Sequence, residues 1–327
     1  MIKNNSRSQV NMPENQDMNQ QIQQPITMYM NQEDRSIKNR GYIDTYKSPW
    51  NTRILSINTC GFAPSNNEKI EMIKQKSQEL GIDILMLNET NTKWNQINQD
   101  KIINKLRCLG REIKVNTADS GRWELTKNEW LPGGVLTSVR GSITSVVSEK
   151  VHKGKYGNWI AIQLESQAKT VVIINVYRIP ISSPENAICS SLIQYNLIDG
   201  EAKTSTQYRN QIFKEIEDFV KNNNNITDVI VAGNFNQSVK SRAIQRFLEN
   251  IGVIEVHHRY NNIEINQLDH TERRGSEPID VFAVSRGLIR FVEGSLLNEY
   301  FDIIITNHRS YIVDINFEGY FDQQMSE

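Results

Sequence analysis

The sequence predicts an α/β fold built as a four-layer sandwich: two packed mixed β-sheets with helices on the outside. Three observations predict it. Short continuous apolar runs, bounded by turn residues, recur along the chain and suit strands buried on both faces. Amphipathic helical stretches separate several of these runs, as in parallel β-α-β units. Other runs follow one another closely, which favours an antiparallel meander. Run after run also stops on a polar residue at its carboxyl end, where open α/β sheets place their reacting groups.

At 327 residues the chain is long enough for one large domain or two ordinary ones. A hydrophobic share of 38% and a formal net charge of −1 fit a globular protein without the global positive charge of a nucleic-acid coat. Any affinity for phosphate must therefore come from a local patch. Cys60, Cys108 and Cys189 are an odd number at wide spacing, which fits neither a disulfide framework nor a zinc site. Cys60 and Cys108 read as small core residues in a reducing, intracellular setting, nuclear or cytoplasmic and not secreted. Residues 1–45 are rich in Asn and Gln and poor in aliphatic side chains, so they read as a disordered tail. The folded domain is expected over 51–319, with 320–327 as a C-terminal tail. No stretch approaches the ~20 apolar residues of a membrane span.

The first expected strand is Arg53-Ile-Leu-Ser-Ile-Asn58. Asn66 or Asn67 caps a helix with Ile70, Ile73 and Leu80 on one face, closed by Gly81. Asp83-Ile-Leu-Met-Leu-Asn-Glu89 follows as a strand parallel to the first, then a helix over Gln96 to Leu109. Strands are expected at Leu131–Val139, Gly141–Val147, Asn158–Leu164 and Thr170–Tyr177. Residues 179–204 form a long connection, of a length usually functional or mobile. The helix Tyr208–Lys221 has Ile212, Ile216, Phe219 and Val220 inside, and it leads into the apolar run Asp228-Val-Ile-Val-Ala-Gly-Asn-Phe-Asn236. Ser238–Ile251 is a further helix. Pro278–Ser285, Ile303–His308 and Tyr311–Phe317 complete the expected strands.

Seven polar residues therefore stand at or beside strand ends: Asn58, Glu89, Tyr177, Asn234, Asn236, Asp280 and His308. Each buried polar group needs a partner, so this number points to a shared purpose over seven separate turns or caps. Magnesium wants oxygen ligands and keeps several waters, so Glu89 with the Asn58 amide could hold it. His308 beside Asp280 would be a base and its orienting carboxylate, or a surface histidine after a strand. Arg309 and the Arg273-Arg274 pair could clamp phosphate, or form a solvated face.

In this order the motifs resemble the endonuclease/exonuclease/phosphatase superfamily, which includes apurinic-site endonucleases and the endonuclease domains of non-LTR retrotransposons. The resemblance runs through Ile-Leu-Ser-Ile-Asn58, Leu-Asn-Glu89-Thr, Ile-Asn-Val-Tyr177, Gly-Asn234-Phe-Asn236, Pro-Ile-Asp280-Val-Phe and Thr-Asn307-His308-Arg-Ser. Gly-Arg-Trp123 and Arg-Arg-Gly-Ser276 are most similar to the retroelement branch. It implies a magnesium- or manganese-dependent phosphodiester hydrolase, a DNA endonuclease first of all. Metal would be held by Glu89, Asn58 and Asn307. Tyr177 and Asn236 would contact phosphate, and His308 with Asp280 would meet transition-state charge. Arg178, Arg273, Arg274 and Arg309 would bind nucleic acid. The chain departs from the pattern where the family carries Asp, with Asn at 234 and 307; Pro180 stands where apurinic-site enzymes usually carry Asn. An amide cannot accept a proton from water, and loss of a general base costs ~10²–10⁴-fold. The resemblance therefore leaves two alternatives to an attenuated nuclease: a non-catalytic nucleic-acid- or protein-binding module, and a phosphatase of small or lipid phosphates.

Overall fold

The computed structural model describes residues 40–110, 112–123, 130–180 and 204–322. One sheet contains β1 (Gly41–Tyr42), β2 (Thr52–Asn58), β3 (Ile84–Asn88), β4 (Ile113–Ala118) and β5 (Val135–Arg140). The second contains β6 (Val147–Lys153), β7 (Trp159–Glu165), β8 (Thr170–Tyr177), β9 (Asp228–Asn234), β10 (Val253–Glu255) and β11 (Asp280–Ser285). The chain then returns to the first sheet with β12 (Val292–Leu297) and β13 (Tyr311–Ile315). The orders are β1-β12-β13-β2-β3-β5-β4 and β10-β11-β9-β8-β7-β6, seven and six strands. β2 with β3 and β8 with β9 are the parallel pairs; the other ladders are antiparallel.

Burial defines the layers. Ile54, Ile84, Met86 and Val313 of the first sheet meet Ile162, Ile173, Ile230 and Phe282 of the second in one buried cluster. On the far side of the first sheet, α1 (Asn67–Glu79) and α2 (Gln96–Leu106) set Ile70, Ile73, Ile102 and Leu106 against Leu55, Leu85 and Leu87. On the far side of the second, α3 (Ser205–Asn222) and α4 (Arg242–Asn250) cover Val172, Val229 and Val231 with Ile212, Ile216 and Phe247. Asn66, Asn95, Thr204 and Ser241 start these four helices, each side-chain oxygen accepting a backbone N–H of the first turn. Two shorter helices, α5 (Val256–Tyr260) and α6 (Phe317–Asp322), finish the element list.

Several elements differ from expectation. Gly141–Val147 is not a strand: Ser142–Val146 form a 3-10 turn and β6 begins at Val147. The hydroxyls explain it, because Thr144 and Ser145 donate to the Gly141 and Ser142 carbonyls and so satisfy the backbone locally. That turn also divides the expected meander, leaving β5 in one sheet and β6, β7 and β8 in the other. Residues 303–308 form a loop with a single bridge between Glu272 and His308; Thr306 there donates its hydroxyl to the Asn58 carbonyl. β1, β4, β10 and β12 were not anticipated.

Described secondary structure also extends before residue 51 and beyond residue 319. Gly41 and Tyr42 pair with Leu296 and Ser295, and the Tyr320 side chain is buried with its hydroxyl donating to Asp228. The rest of the Asn/Gln-rich segment, most of the 179–204 connection and the last residues of the C-terminal tail lie outside the described residues. No helix among the described residues is long and apolar enough to cross a membrane.

Candidate active site

The carboxyl ends of β2 and β3 deliver Asn58 and Glu89, and those of β8 and β9 deliver Tyr177 and Asn234. In each parallel pair the ends lie level: Asn58 stands opposite Asn88, and Tyr177 opposite Asn234. β11 runs antiparallel beside β9, so Asp280 at its amino end faces Asn234. The 303–308 loop brings Asn307 and His308 between the two sheets' contributions.

The side chains form one connected network. Asn58 Nδ2 donates to Glu89 Oε2 at 2.8 Å. Ligand atoms of Glu89, His308 and Cys60 all lie within 4.8 Å of one another. His308 Nδ1 is 2.8 Å from Asp280 Oδ2 and 3.3 Å from Asn234 Nδ2. Asn234 Oδ1 accepts the Asn236 backbone N–H at 2.8 Å, and Asn236 Nδ2 donates to the Arg178 carbonyl. Burial pushes the His308 pKa down, but the Asp280 charge, its hydrogen bond and the nearby Cys60 sulfur outweigh burial and raise it to about 11. Both His308 and Asp280 are buried, so with the imidazole protonated the two form an ion pair shielded from water. Glu89 and Asn236 hold left-handed backbone, at φ 48° and 47°, which turns each away from its strand.

Cys60 is the residue sequence reasoning missed. It is exposed and not a core residue, and its Sγ donates to Asn307 Oδ1 at 2.7 Å. The signal was its place two residues after Asn58, where a turn carries it to the sheet's carboxyl edge. Cys108 is exposed as well, on the 3-10 turn Arg107–Leu109. Cys189 lies outside the described residues.

The arginines divide. Arg178 is 2% exposed. Its guanidinium donates to the Arg209 carbonyl, Gln237 Oε1 and Asn210 Oδ1, and lies 4.3 Å from the Phe213 ring centroid. Burial, then the Arg209 charge, lowers its pKa to about 9. Arg309 is 5% exposed, beside Asp269 and Glu299 and over the Tyr300 ring. Both are structural, and the expectation that they clamp nucleic acid is corrected. Arg273 and Arg274 are exposed, and Arg273 lies 5.2 Å from the Phe301 ring centroid.

The donor set fits magnesium poorly. Glu89 is the one carboxylate among Asn58, Glu89 and Asn307, while Asn58 Oδ1 accepts from the Cys60 backbone and Asn307 Oδ1 from the Cys60 thiol. A hard cation that depends on oxygen donors gains nothing from a thiol.

No family model matches the sequence, and no curated protein matches it. Solved structures do. An AP endonuclease from Leishmania major superposes with a TM-score of 0.57 at 10% identity, over 88% of this chain and 97% of that one. The 3' phosphatase NExo from Neisseria, bound to a product DNA hairpin, gives 0.55 at 14%, over 81% and 99%. An AP endonuclease from Archaeoglobus fulgidus gives 0.54 at 12%, over the same shares. Two mixed sheets flanked by helices, with this order of strands, make the chain an α/β protein of the endonuclease/exonuclease/phosphatase fold.

Proposed function

We propose that the protein is a phosphodiester hydrolase of nuclease type acting on DNA, attenuated by Asn234 and Asn307. One observation carries the reading. A buried His308–Asp280 ion pair closes a network that also holds Asn58, Glu89, Asn234 and Asn236, at the carboxyl edge of both sheets. A fixed cation there suits the charge that develops on a phosphate oxygen during displacement. Tyr177, beside Asn234, and the Asn236 amide would position the phosphate, and exposed Arg273 and Arg274 would track the backbone. The magnesium read from the sequence finds a single carboxylate, so no step is assigned to it. DNA is the chosen substrate because the similar structures include AP endonucleases and a phosphatase holding a DNA product.

Attenuation follows from atoms. Asn234 Oδ1 is committed to the Asn236 N–H, so its Nδ2 faces a nitrogen of His308 already engaged with Asp280. A carboxylate there would give the imidazolium a second acceptor and offer water a base. Asn234→Asp with Asn307→Asp should raise nicking of supercoiled plasmid by ~10²–10⁴-fold. The same two amides favour a second reading, a phosphate-shaped groove that binds nucleic acid without cleaving it. If the double variant binds duplex DNA with steep salt dependence and nicks no faster than the parent, the binding reading replaces the catalytic one.

A further inference from the structure

The misfit with magnesium has a positive counterpart. We propose that Cys60, Glu89 and His308 form a three-ligand site for a borderline-soft divalent cation of the zinc class. The proposal rests on reading this groove as the reaction centre, and it concerns which cation the groove takes: on binding, the dication would displace the His308 proton and take its place as the groove's positive charge.

Among the described residues, these three side chains bring a sulfur, a carboxylate oxygen and an imidazole nitrogen within 4.8 Å of one another. Thiolate, imidazole and carboxylate are the donors such a cation selects, and a thiolate adds little for magnesium. The imidazole is already oriented as a ligand. His308 Nδ1 is held by Asp280 at 2.8 Å, which leaves Nε2 for the cluster and reproduces the carboxylate–histidine–metal arrangement.

The backbone holds the ligands together before any cation arrives. Cys60 and Glu89 both adopt left-handed backbone, at φ 46° and 48°, and the two turns are joined by Thr59 N–H to the Asn88 carbonyl and Gly61 N–H to the Glu89 carbonyl. The Thr306 hydroxyl, donating to the Asn58 carbonyl at 2.8 Å, ties the histidine loop to the same edge. Three protein ligands leave a tetrahedral cation one open position, as in catalytic zinc sites, where water or a phosphate oxygen can bind. Cys60 is exposed, so the cluster is open to solvent.

Cobalt(II) tests the proposal without reference to cleavage. Titrating the metal-free full chain with cobalt should produce a thiolate-to-cobalt charge-transfer band that saturates at one equivalent. Zinc should abolish it by displacement, and a large excess of magnesium should leave it intact. Cys60→Ser should lose the band, whereas Cys108→Ser with Cys189→Ser should keep it. Asp280→Asn should keep the band but weaken cobalt affinity ~10–100-fold, the loss expected when a ligand's hydrogen-bonded support is removed. Circular dichroism of each metal-free variant checks that the fold survives. Absence of the band in the parent, or its persistence in Cys60→Ser, overturns the site. Nicking that stays undetectable with every divalent cation, beside an intact band, overturns the nuclease reading alone.

Discussion

At the scale of single residues, Gly233 shows how tightly the edge that carries the candidate site is assembled. It lies in β9 at φ 143°, one residue before Asn234, and a Cβ there would stand 1.9 Å from the Val176 carbonyl oxygen of the neighbouring strand. Gly233→Ala should therefore force β8 and β9 apart beside Tyr177 and Asn234. We expect a loss of more than about 2 kcal/mol in urea unfolding, since both the backbone region and the space exclude a methyl group. Glu255 provides a test in pH. Burial raises its carboxyl from the ordinary 4.5 to about 7, against the pull of the His258 and His257 backbone N–H groups. A carboxyl raised on folding supports the native state fully below its unfolded pKa, and that support is lost as pH rises through 7. Glu255→Gln should thus be more stable than the parent at pH 8, by on the order of 3 kcal/mol, and the advantage should vanish near pH 4.5. Thermal melts at the two pH values check the sign; a constant difference would mean that the carboxyl does not titrate in this range.

Between elements, the two sheets are joined by more than apolar contact. Asn175, buried near the carboxyl end of β8, donates its amide to the carbonyls of Leu87 and Leu136 in the opposite sheet and accepts from Asn88. These bonds fix how far one sheet can slide on the other, and so the distance between Glu89 and the Asn234 side of the groove. Asn175→Ala strands the Asn88 amide in a dry interface and should cost about 1–3 kcal/mol. It should also weaken DNA binding. A variant that loses stability but binds as the parent does would separate the two roles. At this scale much of the fold was legible in the sequence. Apolar runs ending in Asn58, Glu89, Tyr177 and Asn234 announced the internal strands, because strands covered on both faces must be continuously apolar. Two elements were harder to see: the edge strand β4 is half-buried and mixed in composition, and β12, between β1 and β13, is interrupted by Gly294 with an irregular register. Nor could periodicity assign Arg178, whose cationic type suggests solvent. Only the packing of α3 reveals the amide and carbonyl groups that absorb it.

Across the whole molecule, the candidate site draws on segments from Asn58 to His308, far apart in sequence. The types and order of the polar residues could therefore be read from the chain, but their distances could not. Nothing local in Asn58-Thr-Cys60 reveals that the thiol meets Asn307 at a separation of 247 positions, a contact that exists only once β13 has paired with β2. Binding of any cation by Cys60, Glu89 and His308 should accordingly report on global folding. Zinc at 100 times its dissociation constant should stabilise the protein by ~2.7 kcal/mol, visible as a higher melting temperature that Cys60→Ser largely removes. A final consequence concerns synthesis. β13 follows every other strand in sequence yet lies between β12 and β2, inside the first sheet. Until residues 311–315 leave the ribosome, β2 offers an unpaired edge of backbone N–H and C=O groups to whatever is nearby. Nascent chains arrested before Tyr311 should stay open to protease and lean on holding chaperones, and those released past Ile315 should close quickly. The order in which the ribosome delivers the strands thus delays the two-sheet scaffold to its last strand, and no partial product can assemble the groove early.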